Sequence, residues 1–312
     1  MTRSRRARVR ALAKINLDLR VLARRPDGFH ELRTIFQTIS LADTLDIAFT
    51  AARQNSIELE DDLHLPDNLV VRAARLALDA MAITGRVEMR LRKRIPMGAG
   101  LGGGSSDAAA VLLALPALAG RGLPAATLLG LARELGSDVP FFLLGGAAVG
   151  IGRGTELFPL PDRAPRAGIL VSPDIHVSTP EAYGLLSPRL TTESQENKIF
   201  SFQSQAWDVG VSDGAANDFE TVVFERHPEI AALKKRLIRA GASTAMMTGS
   251  GSAVFGLFPA GDPVSGTLRR FGDVRAVRFS LVGRARYRSL WRRALAEYAS
   301  GTTWPPQSRN IR

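Results

Sequence analysis

The chain has 312 residues, 45 % of them hydrophobic and 23 % charged, which suits a globular protein of two domains of about 150 residues each. It contains no Cys, which excludes a disulfide framework and a cysteine-ligated metal and fits a reducing cytoplasm. The net charge of +11 raises nucleic acid as a partner, so the place of that charge matters.

Residues 1–10 hold five Arg and no acid and read as a basic N-terminal tail. No apolar stretch follows as in a secretory signal, and no run reaches the roughly 18 apolar residues of a membrane span. From Val9 to Val21 apolar residues alternate with Lys14, Asn16 and Asp18, which predicts a strand with Lys14 and Asn16 on one face. Arg25-Pro26-Asp27-Gly28 is a turn, and residues 32–39 and 43–49 read as two further strands. Asp67 is placed to cap a helix over 68–81, and 87–94 alternates as a strand. After the glycine-rich run 96–106, residues 107–118 and 123–135 read as helices and 141–149 as buried strand.

Three Pro within 159–165 mark a linker between an N-terminal domain, 11–162, and a C-terminal one, 166–300. Residues 168–172 read as a strand, 191–215 as a polar loop, 228–240 as a helix opened by Pro228, and 281–298 as a mostly helical stretch. Residues 301–312 read as a flexible tail. Residues 269–312 hold eleven Arg against two acids, so the basic excess sits at the two ends. That distribution suits solubility and loose contact with polyanions. It lacks the aromatic interleaving of single-stranded RNA binders, and no specific nucleic acid is expected. The four His are scattered, without the pair spacing of a zinc site.

The central chemical feature is Pro96-Met97-Gly98-Ala99-Gly100-Leu101-Gly102-Gly103-Gly104-Ser105-Ser106, between a strand and a helix. Glycines let the backbone curl around an anion, and the helix start offers free N–H groups and a positive dipole end. A Walker A loop needs a Lys before its Ser/Thr, and there is none. Gly98-x-Gly100-x-x-Gly103 matches the dinucleotide pattern, yet no acid for a ribose occurs from 108 to 133, which argues against an oxidoreductase. Gly136-Ser137-Asp138-Val139-Pro140 sets a carboxylate in a turn where it either ends a helix or takes a proton from a substrate hydroxyl. Lys14, among apolar residues, is either an edge lysine or an ammonium that offsets phosphate or carboxylate charge.

Three segments in order resemble the GHMP kinases: Ala13-Lys14-Ile15-Asn16-Leu17, the loop 96–106, and Thr248-Gly249-Ser250-Gly251-Ser252. The resemblance spans almost the whole chain. It implies a two-domain α/β (α+β) fold, with a ribosomal S5 domain 2-like N-terminal domain and a ferredoxin-like C-terminal domain. It also implies an ATP- and Mg2+-dependent small-molecule kinase, monomeric or homodimeric. Arg25-Pro26-Asp27-Gly28-Phe29-His30, Asp67-Asn68-Leu69 and the extended glycine run are similar to the branch whose substrate is a cytidine diphosphate derivative of methylerythritol. On that resemblance Asp138 is the general base and Lys14 its partner. Pro96 to Ser106 with Asn68 and Arg94 border ATP, and Ser106 is the metal candidate. Asn16, Phe29, His30, Thr179, Tyr183, Thr248 and Gly249 face the substrate, with Phe29 and Tyr183 stacking on cytosine and His30 bonding its edge. Phe29 stands where Tyr is common, and Glu134 is too close to Asp138 to be assigned as a ligand. Homoserine- or mevalonate-type activity and an RNA-binding S5-like protein are the alternatives.

Overall fold

The structure, a computed structural model, describes residues 4–61, 67–190, 198–199, 202–203, 215–261, 264–300 and 303–308. The chain opens with a long antiparallel hairpin, β1 (Arg5–Arg24) and β2 (His30–Ala51). Residues 5–10 are therefore the start of β1 and not a tail. Arg6, Arg8 and Arg10 point to solvent while Val9 points to the core, the two-residue alternation of a strand. The two strands expected over 32–49 are one strand. Next along the chain come β3 (Ser56–Asp61), α1 (Leu69–Met81), β4 (Gly85–Arg92), α2 (Gly103–Ala119), α3 (Ala125–Leu135), α4 (Val139–Leu144), β5 (Ala147–Gly152) and β6 (Glu156–Pro159). One edge of β2 pairs with β1. Its other edge pairs with β5 through 32–37 and with β4 through 44–51. The sheet order is β3-β4-β2-β5-β6.

Helix α2 is buried on every side from Ser106 to Leu118, packed between the sheet and α1, α3 and α4. The cap of α1 is Asn68, whose Oδ1 accepts from Val70 N at 3.0 Å. Asp67, expected in that role, lies one residue outside with φ 54°. Residues 141–144, expected as the start of a strand over 141–149, belong to α4, and the strand β5 begins at Ala147. Pro140 sits in the helix's first turn, where its fixed φ is helical, and a short apolar run alone does not distinguish the two conformations.

The second unit comprises β7 (Ala167–Ser172), α5 (Thr179–Leu186), α6 (Glu220–Arg226), α7 (Pro228–Arg239), β8 (Thr244–Met247), β9 (Val254–Leu257), α8 (Ser265–Leu268) and β10 (Arg275–Ser280). Its antiparallel sheet has the order β10-β7-β9-β8, which is the ferredoxin-like arrangement. Most of the expected loop 191–215 lies outside the described residues. Ile169 and Val171 face the helices of this unit. Leu170, Phe255, Leu257 and Phe279 face Ala13, Ile15, Leu17 and Ile35 of the hairpin, so a third apolar cluster locks the two units together.

The chain then returns to the first unit through α9 (Arg284–Ala294), β11 (Ala299–Ser300) and β12 (Gln307–Ser308). Tyr287 and Trp291 are buried in the N-terminal core. Tyr287 Oη donates to Phe142 O at 2.5 Å, and Trp304 Nε1 donates to Leu143 O at 2.7 Å. Residues 284–295, expected within the C-terminal domain, thus pack their buried side chains into the core of the first unit. Residues 304–306 of the expected flexible tail are packed, and the polar tips of Tyr287 and Trp304 reach free carbonyls of α4.

Candidate active site

The hairpin, the α2 start, the α4 start and the second glycine turn converge at the seam between the units. Lys14 and Asn16 share one face of β1, and Lys14 Nζ donates to Asn16 Oδ1 at 2.8 Å. Asn16 Oδ1 also accepts from Gly249 N at 3.0 Å and Thr248 Oγ1 at 3.3 Å, while its Nδ2 donates to Thr34 Oγ1 at 2.7 Å. Asp138, at the N-cap of α4, lies 3.5 Å from Lys14 Nζ; the Lys14 side chain is 4 % exposed and that of Asp138 33 %. Lys14 is therefore a buried ammonium facing a reachable carboxylate, and its other contact is a neutral amide.

The glycine run continues into α2, whose first residue is Gly103 and whose cap Gly102 has φ 67°. The N–H groups of Gly103, Gly104 and Ser105 have no partner within the helix, as at any helix start. At Gly100 (φ +75°) a Cβ would stand 2.0 Å from Thr248 O, so the two glycine turns meet backbone to backbone.

Two cavities adjoin this loop. The larger, about 910 Å³, is lined by Lys14, Asn16, Phe29, His30, Asp138, Thr179, Tyr183 and Gly249. The smaller, about 340 Å³, is lined by Pro96 through Ser105, Asn68, Lys93 and Asp107. Gly100, Gly102 and Ser105 line both, so the loop is their common wall. The structure brings together most of the residues expected there and places three of them outside the two cavities. Ser106 is buried with its hydroxyl donated to Leu12 O at 2.7 Å and lines neither cavity; Ser105 is the serine that faces both. Arg94 points out of the strand end to a separate groove, and Lys93 is the cation of the smaller cavity. Thr248 is buried as a clasp on Asn16 and Gly100, and its neighbours Gly249 and Ser250 line the larger cavity.

The aromatic residues are arranged differently from the expected sandwich. His30 itself stacks on Tyr183, with centroids 4.5 Å apart and planes at 21°, and its Nε2 lies 2.6 Å from Ser187 Oγ. Phe219 meets the Tyr183 ring edge-on. Phe29 is 48 % exposed, and the Arg153 guanidinium lies 3.3 Å over its ring. Each ring lies against a flat polar partner, an imidazole for Tyr183 and a guanidinium for Phe29. Burial, with Arg24 nearby, pushes the His30 imidazolium below its ordinary range, so the ring is neutral at neutral pH. Burial, with Asp138 nearby, pushes the Tyr183 phenol up to about 12.

Sequence reasoning missed Arg24, Arg153, Lys93 and Asp107. Arg153 sits in Gly152-Arg153-Gly154, a visible signal that went unused. Lys93 Nζ bridges the buried Asp43 and Asp107, at 2.6 Å from Asp107 Oδ2. Burial pushes the Asp107 carboxyl up to about 7, and Asp43 adds to this while Lys93 opposes it. Among the described residues no three acids or histidines gather to cage a metal. Ser105 and Asp138 are oxygen donors on the same cavity, which fits a Mg2+ held mainly by phosphate oxygens and water.

A family model for the GHMP kinases N terminal domain matches residues 68–146, and one for the GHMP kinases C terminal domain matches 206–273. The chain belongs to the GHMP kinases, which are ATP-dependent kinases of small molecules. Its relatives within that class are 4-diphosphocytidyl-2-C-methyl-D-erythritol kinases. The one from Solibacter usitatus is 65 % identical over 99 % of both chains. The one from Pelotomaculum thermopropionicum is 43 % identical over 79 % of this chain and 87 % of its own. A crystal structure of a 4-(cytidine 5'-diphospho)-2C-methyl-D-erythritol kinase superposes with a TM-score of 0.73 at 38 % identity, covering 88 % of this chain and 99 % of that one. A homoserine kinase from Cytophaga hutchinsonii, at 17 % identity and a TM-score of 0.71, shares the fold.

Proposed function

We propose that the protein phosphorylates the 2-hydroxyl of 4-diphosphocytidyl-2-C-methyl-D-erythritol with ATP, giving the 2-phosphate and ADP in the cytoplasm, as a step toward isoprenoid precursors. The observation that carries this reading is the shared wall. A glycine loop and helix start separate a nucleotide-sized cavity from a larger one, and the Lys14–Asp138 pair stands on the larger side. ATP takes the smaller cavity, with Asn68 at its far end and its phosphates on the free N–H groups of Gly103, Gly104 and Ser105. The hydroxyl substrate takes the larger one.

The acceptor hydroxyl lies beside Asp138, which takes its proton as the oxygen bonds to the γ-phosphorus and the bond to the β-phosphate oxygen breaks. Lys14 orients the carboxylate and offsets charge at the reacting centre, and Asn16 fixes the ammonium. The loop N–H groups hold the equatorial oxygens of the transferring group. Mg2+, when bound, neutralises phosphate charge, with Ser105 and Asp138 as its protein-side oxygens. At the far end His30, neutral, has ring nitrogens for a base edge, and Phe29 and Tyr183 offer faces for stacking once a cytosine displaces their present partners. Arg24 and Arg153 line the same cavity and suit a diphosphate between the base and the polyol.

The test is ADP release with the cytidyl substrate, with homoserine and mevalonate run in parallel. Turnover with the cytidyl substrate alone is expected. Turnover with either other substrate sinks the cytosine roles of Phe29, His30 and Tyr183. Replacing the base, Asp138→Asn, is expected to lower kcat by roughly 10²–10⁴-fold with ATP binding intact. Near-normal turnover in that variant removes Asp138 from the base role.

A further inference from the structure

A third concavity, of about 390 Å³, lies on the seam between the units, away from the reacting centre. Arg10 of β1 and Arg94 after β4 line it from the first unit, and Arg275 and Arg278 of β10 line it from the second. Lys93 stands between this groove and the nucleotide cavity, lining both. No residue that lines the groove is acidic. The carboxylates nearest its floor are committed elsewhere. Asp43 takes Lys93 and the main-chain N–H groups of Arg94 and Ile95, at 2.8 Å for Ile95, and Asp107 takes Lys93.

The four guanidinium groups, by contrast, make no ion pair among the described residues. Arg10 Nη2 donates to Ser40 O at 3.0 Å, Arg275 Nη2 to Arg94 O at 2.7 Å, and Arg278 Nη1 to Ser265 Oγ at 3.5 Å. These are single bonds to neutral acceptors, and each leaves most of a five-donor fork unused. Some arginines elsewhere on the surface do meet acids, as Arg8 does with Asp46, Arg189 with Glu225 and Arg86 with Glu58. Four like charges around one concavity repel one another, and low-dielectric walls focus their field onto whatever enters. Planar forks match phosphate oxygens two at a time, which favours a ligand with adjacent phosphoryl groups over a lone carboxylate. The volume lies within the range of small-molecule sites.

We propose that this groove is an anion site for a small molecule bearing a diphosphate, separate from both the ATP and the acceptor cavities. Because its cations come from both units, a bound diphosphate ties β1 to β10 across the seam. Through Lys93 it also touches the residue that closes the floor of the nucleotide cavity. The proposal stands whether or not the acceptor substrate is the cytidyl polyol.

The experiment is calorimetric titration of the full chain with inorganic pyrophosphate, with the nucleotide cavity filled by saturating non-hydrolysable ATP analogue. One further binding event is expected that weakens as salt is raised and that is kept in Arg153→Gln, which removes a cation of the acceptor cavity. In Arg278→Gln and in Arg94→Gln that event should weaken about tenfold or more, the loss of one charge-assisted contact. It should persist in Arg86→Gln, which removes a charge from the opposite end of β4. Circular dichroism confirms folding of each variant, and Arg278→Gln should keep its kcat. Absence of the second event in the wild type, or wild-type affinity in both groove variants, overturns the proposal. So does binding of a short single-stranded RNA without binding of pyrophosphate, which would assign the groove to a nucleic-acid backbone.

Discussion

Replacing Asn16 by Ala tests the logic of the seam, because one buried side chain there serves both units and the reacting pair. Its Oδ1 accepts from Lys14 Nζ, Gly249 N and Thr248 Oγ1, and its Nδ2 donates to Thr34 Oγ1. In the variant the Lys14 ammonium keeps only Asp138, and the Gly249 N–H loses its acceptor. Each orphaned donor costs about 1–3 kcal/mol. The Thr34 hydroxyl still donates to Asp18 O, so its loss is small. Asn16 borders the larger cavity, from which water can partly replace it, and this places the total near the lower end, about 2–4 kcal/mol. That is a large fraction of the 5–15 kcal/mol typical of a folded protein, yet insufficient to unfold it at 25 °C. Urea unfolding followed by circular dichroism should show the loss, and ADP release should show kcat reduced more than tenfold, since Lys14 is no longer held toward Asp138. A loss under 1 kcal/mol with kcat unchanged would refute the reading of Asn16 as the clasp.

The meeting of the two glycine turns predicts that Gly100→Ala is worse than a usual Gly→Ala change. The left-handed φ costs about 1–2 kcal/mol, and the Cβ clash with Thr248 O forces the turns apart. A thermal midpoint within 1 °C of wild type would contradict that contact. Asp107 gives a pH signature: its folded carboxyl holds a proton up to about pH 7, against an ordinary value of 3.8. The folded state binds the extra proton between these values, so this group's contribution to stability falls as pH rises from about 4 to 7. Asp107→Asn should lose that slope, checked by comparing urea midpoints of both proteins at pH 5 and 8; a wild type that gains on the variant with rising pH would reverse the sign. Tyr183, with its phenol pushed up to about 12, should contribute almost no phenolate absorbance below pH 10, so Tyr183→Phe leaves that part of the alkaline titration unchanged.

Features set by neighbouring residues were legible in the chain. The alternation over 9–21 placed Lys14 and Asn16 on one strand face, and the glycine run marked a loop that leads into a helix, because period and turn chemistry are local properties. The errors fell where one residue's exposure decides between neighbours. Ser105 and not Ser106 faces the cavities, Lys93 and not Arg94 points inward, and Asn68 and not Asp67 caps α1. A helix or strand start turns successive side chains to different sides, and only packing fixes which one points in.

By itself, then, the sequence determined the two-unit α/β plan, the glycine loop ahead of α2 and the strand face shared by Lys14 and Asn16, all encoded in short motifs with their own backbone requirements. The tertiary structure decided what depends on residues far apart in the chain. It joined Asn16 to Thr248 and Gly249 across the seam, and it set His30 against Tyr183 and Arg153 against Phe29. It returned Tyr287, Trp291 and Trp304 to the first core, and gathered Arg10, Arg94, Arg275 and Arg278 from both ends of the chain into one groove. Such contacts leave no periodic trace, because they are made by the shape of the folded chain and not by the spacing of residues along it.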